Sequence, residues 1–103
     1  VANSLDISHQ ATCLNAIGVI LYSIPDSPLE DGLDAFSKSL EIRQLCLGEN
    51  HSDVGTTWNN LGRLYFIHSD YTKALHAYRE SLRIRRSNND SLDSIDVAAT
   101  LVN

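Results

Sequence analysis

Trp58-Asn59-Asn60-Leu61-Gly62-Arg63-Leu64-Tyr65, a break at His68-Ser69-Asp70, then Ala74 and Tyr78: this stretch decides the fold. Val54, Trp58, Leu61, Tyr65 and His68 recur at helical spacing, so a first helix has one apolar face that needs a cover. Gly62 sits inside that helix, where glycine costs about 1 kcal/mol relative to alanine. A close-approaching backbone or ring from a second helix explains it. That helix follows at once. Asp70 can accept from the first free amides, and Tyr71, Ala74, Leu75, Tyr78, Leu82 and Arg85 form one stripe behind it.

Weaker copies flank this unit. Upstream, Ala11, Leu14, Ile17, Gly18, Leu21 and Ile24 repeat the first-helix pattern, with leucines in place of both aromatics. Residues 1–8 read as a polar entry loop. Ser27-Pro28-Leu29-Glu30 predicts the next helix start, with serine as the cap and proline in the first turn. Leu29, Gly32, Leu33, Phe36 and Leu40 then mirror the second helix, Gly32 standing where Ala74 does and Phe36 where Tyr78 does. Ser39-Leu40-Glu41-Ile42-Arg43 echoes Ser81-Leu82-Arg83-Ile84-Arg85, and Gly48 suits a left-handed helix end. Downstream, Asp96-Val97-Ala98-Ala99-Thr100 restarts the pattern of Asp53 to Thr57. The chain therefore divides into a degenerate repeat over 9–50, a second over 51–90 and the opening of a third over 91–103.

The motif resembles the tetratricopeptide repeat, W-x2-L-G-x2-Y…A-x3-F/Y, an all-α solenoid of antiparallel helix pairs. The period of roughly 42–44 residues falls in the range of HEAT and armadillo repeats. The offsets among Gly62, Ala74 and Tyr78 favour the shorter repeat, with the surplus residues placed in a longer second helix and its exit loop. Leu47-Gly48-Glu49-Asn50-His51-Ser52-Asp53-Val54, with Trp58 to Gly62 and Ser81 to Arg85, is similar to the repeats of kinesin light chains and their relatives. Ser52 stands where those repeats usually carry proline. The resemblance implies a concave groove lined by the first helices, holding an extended peptide or a partner's helix. By position, Thr12, Asn15, Ala16, Val19 and Tyr22 of the first copy would face it, with Thr56, Asn59, Asn60, Arg63 and Phe66 of the second. Side-chain amides can pair with a peptide backbone and Arg63 can hold a carboxylate, whereas an exposed asparagine can equally just solvate a helix. Asn15 and Val19 occupy the places where some relatives clamp a terminal carboxylate with lysine and asparagine, so that clamp is not expected.

Totals narrow the function classes. The 103 residues carry a formal charge of −5, with thirteen acidic against eight basic side chains, which argues against a nucleic-acid backbone as ligand. The longest apolar run, Ala16 to Tyr22, is too short to cross a bilayer, and no leader is visible. Cys13 and Cys46 have no metal spacing and are expected to be reduced and partly buried, which points to the cytoplasm. His9, His51, His68 and His76 show no ligand spacing, and no nucleophile–base pair or phosphate loop stands out, so neither cofactor nor enzyme activity is expected. Arg79, Arg83 and Arg86 share a face that reads as solvated, with Glu80–Arg83 pairing. The function expected is a protein- or peptide-binding scaffold, the alternative a purely structural segment of a larger assembly. A chain with no methionine, opening on Val1, is expected to be processed or part of a longer array, or to self-associate through open repeat ends.

Overall fold

The computed structural model describes the backbone of residues 4–88 and the side chains from Ile7 onward. Four helices follow one another: α1 (Ser4–Ser23), α2 (Leu29–Leu47), α3 (Ser52–Ile67) and α4 (Tyr71–Ser87). There is no strand among the described residues. α1 packs along α2 and α3 along α4, and α2 joins the two hairpins by lying against α3, while α1 touches α3 only lightly. The result is two helix pairs stacked side by side. The expected third copy lies outside the described residues.

Each pair closes on a ring set against a glycine. A β-carbon on Gly62 would lie 2.8 Å from the Tyr78 ring, and one on Gly18 only 2.6 Å from the Phe36 ring. Both rings are buried. The helices can approach this closely only because the first helix lacks a side chain at that point, which explains why a helix-weakening residue sits there. Between the pairs, Phe36, Leu61, Leu64 and Ala77 form the buried centre, with Val19, Tyr22, Leu33, Leu40, Trp58 and Tyr65 packed around it.

The helix ends agree with the sequence at two places, Asp70 and Gly48. Asp70 Oδ1 accepts from the Lys73 amide at 3.3 Å. Gly48 ends α2 at φ 95° and ψ 150°, a positive-φ conformation that favours glycine, and its amide donates to the Gln44 carbonyl. His68 caps the C-terminus of α3, its amide donating to the Leu64 carbonyl.

Other expectations are corrected. Residues 4–8 are helical, not an entry loop, because α1 begins well before the apolar pattern does. Ser27 does not cap α2. The extended Pro28 takes that place and makes no side-chain cap bond, so Glu30 and Asp31 in the first turn supply only their charge to the helix end. Cys13 and Cys46 are exposed free thiols. Trp58 is mostly covered, packing against the core without being fully buried. Its indole meets the His76 ring edge-on at 5.8 Å and faces an apolar hollow of about 380 Å³ between α2 and α4, lined also by Leu33, Leu40, Leu61 and Tyr65.

Candidate protein-binding surfaces

The residues expected to line a groove have different fates. Asn15 and Asn60 bond to each other, Asn60 Nδ2 donating to Asn15 Oδ1 at 2.8 Å, which bridges α1 and α3. Thr56 is held within its own repeat. Its hydroxyl donates to the Ser52 carbonyl and accepts from Arg85 Nη2, each at 3.3 Å. Val19 and Tyr22 turn into the core, the Tyr22 ring lying 6.0 Å from that of Phe36. The exposed remainder is Thr12, Ala16, Arg63 and Phe66. The Thr12 hydroxyl turns back to the Ser8 carbonyl, and Phe66 meets Tyr71 edge-on at 5.3 Å. Asn59 keeps its Oδ1 buried with no hydrogen-bond partner among the described residues, an arrangement that costs about 1–3 kcal/mol.

Three residues that matter to the architecture were not singled out by the motif. Arg43, at the end of α2, is buried and reaches across the joint between repeats. Its Nη1 donates to Thr57 Oγ1 at 2.8 Å and to the Asp53 carbonyl at 3.2 Å. Burial pulls this guanidinium below its ordinary pKa, while the Asp53 carboxylate works in the opposite direction. Ser39 donates to the Ala11 carbonyl at 2.8 Å inside the first pair. Asn50, in the loop between repeats, takes Arg83 Nη1 at 2.9 Å on its side chain and Asn88 Nδ2 on its carbonyl. The next residue, His51, accepts the Asp53 amide at 3.0 Å on Nδ1 and so caps α3. The signal for Arg43 was present: Arg43 and Arg85 hold matching places in the two echoed segments, unlike Arg79, Arg83 and Arg86.

Among the described residues, no group of three or more His, Cys, Asp or Glu side chains could hold a metal ion. No described helix is long and apolar enough to cross a membrane.

Paired antiparallel helices, a ring on a glycine in each pair and a polar joint between pairs define a helical-repeat scaffold. A family model described as Tetratricopeptide repeat matches residues 26–87, more than half of the chain, and the chain belongs to that family. Repeats of this family are non-catalytic and generally serve protein–protein interaction. No curated protein and no solved structure shows significant similarity to the chain.

Proposed function

We propose that this chain is a protein-interaction module that holds an extended peptide or a partner's helix along the face shared by α1 and α3. The observation that carries the reading is the Asn15–Asn60 bridge. It places a polar pair on the line where the two first helices meet, with exposed Thr12, Ala16 and Arg63 on the same two helices. A peptide backbone can pair with amides in such a place, and Arg63 can meet a carboxylate. Asn59, Thr56 and Phe66 extend the same proposal along α3, while Val19 and Tyr22 support it from the core. The finer subtype, kinesin light chain-like, rests on the Leu47 to Val54 phrase. Its Asn50 and His51 hold the loop between repeats and the start of α3. A cytoplasmic location belongs to the same proposal.

The test replaces Thr12, Asn60 and Arg63 with alanine and screens both proteins against a random peptide library. Selective peptides that bind the parent and not the variant, with unchanged helicity, support the groove. A parent with no peptide selectivity favours the alternative of a purely structural segment. Self-association is part of the same reading, since Ile17 and Ile20 on α1 and Ile24 just past its end are exposed. Sedimentation over a hundredfold concentration range tests it, and a concentration-independent monomer excludes it.

A further inference from the structure

Half of the eight basic residues, Arg79, Arg83, Arg85 and Arg86, fall within one short segment of α4, in a chain of net charge −5. They do not all do the same work. Arg85 turns inward to Thr56. Arg79, Arg83 and Arg86 instead line, together with Leu82, a hollow of about 300 Å³ on α4. Arg83 is steadied there by Glu80 at 3.3 Å and by Asn50 at 2.9 Å. Arg79 and Arg86 are exposed and make no ion pair among the described residues.

We propose that this stripe is a second docking site, separate from the α1–α3 face, for an acidic segment of a partner protein with an apolar side chain between its carboxylates. Arg79 and Arg86 are seven residues apart on one helix, a rise of about 10 Å. An extended chain covers about 10 Å in three residues. The matching ligand therefore carries Glu or Asp three residues apart, each facing one guanidinium, with a leucine-like residue over Leu82. Forked guanidinium–carboxylate pairing supplies the geometry. A nucleic acid fits less well, because the stripe is short, has an apolar centre and belongs to an acidic protein.

Fluorescence anisotropy with a labelled peptide containing Ser-Glu-Leu-Ser-Glu-Ser tests the site at low and moderate salt. Binding is expected to weaken at least tenfold in the Arg79→Gln/Arg86→Gln protein and at least tenfold for the peptide with glutamine in place of both glutamates. A permuted peptide with leucine outside the glutamates should lose at least threefold. Lys38→Gln, on the exposed side of α2, should change nothing. Both substituted arginines are exposed, and helicity by circular dichroism verifies the fold of each variant. The proposal is overturned by equal binding to the double variant or of the permuted peptide, or by tighter binding of oligo(dT) or inorganic phosphate. Asp90-Ser91-Leu92-Asp93 carries the same pattern within this chain. If Asp90→Asn/Asp93→Asn tightens peptide binding at least tenfold, the occupant is the chain's own segment, and the partner assignment falls.

Discussion

α1 and α3 occupy the same place in successive repeats, yet their matching faces have opposite fates. Leu61 and Leu64 of α3 are 4% and 1% exposed, whereas their counterparts on α1, Ile17 and Ile20, are 47% and 60% exposed. Side-chain chemistry does not separate them, since all four are large aliphatics. The difference is α2, which lies in front of α3 and offers Gly32 to Leu64, so closely that a β-carbon on Gly32 would stand 3.1 Å from it. Nothing described lies in front of α1. In a helical array the second helix of one repeat is the cover for the first helix of the next, so burial depends on the neighbour as much as on the sequence.

The largest expected effect tests this directly. Leu64→Ala should cost about 2–5 kcal/mol in urea unfolding, while Ile20→Ala should stay within about 0.5 kcal/mol. Equal losses would show that α1 is covered in solution by something the two pairs do not supply.

A second measurement compares the two aromatic positions of the centre. Phe36→Ala should fall in the range of about 3–5 kcal/mol for a buried ring. Trp58→Ala should fall below that range, because the indole is not fully buried and already faces an open hollow. An indole emission maximum typical of a fully dry core would contradict the placement of Trp58.

The joint between pairs gives a smaller effect. Arg43→Ala should cost about 1.5–3 kcal/mol, the value for a hydrogen bond from a charged group. It should also separate the unfolding of the two pairs, seen as probe-dependent transitions. One coincident transition in the variant would show that the apolar contact of α2 with α3 couples them without the arginine.

The smallest expected effect is on the α1–α3 bridge. A double-mutant cycle on Asn15→Ala and Asn60→Ala should give a coupling of about 0.5–1.5 kcal/mol. Zero coupling would make the two amides independent surface groups.

The pairing of helices was legible from residues 58–78 alone. Gly62 and Tyr78, like Gly18 and Phe36, encode their own contact, because a glycine inside a helix and a ring sixteen to eighteen residues later leave few other arrangements. Caps at Asp70 and Gly48 were equally local, depending on side chains or backbone freedom within one turn. The proposed groove was less legible. Position in the repeat grouped Asn15, Val19 and Tyr22 together, yet the first bonds to Asn60 while the other two pack on the core. A helical wheel gives the direction of a side chain from its own axis, not what the next helix places there.

The sequence by itself therefore determined the helix pairs, their order and the close crossing inside each, since these rest on periodicity, capping and one small residue against one ring. Tertiary structure alone decided which apolar faces are covered, how far Trp58 is buried, and which acceptor each inward arginine meets. Arg43 and Arg86 carry the same charge on similar helices. One bonds Thr57 across the joint and the other faces solvent, because only the stacking of α2 on α3 brings an acceptor within reach.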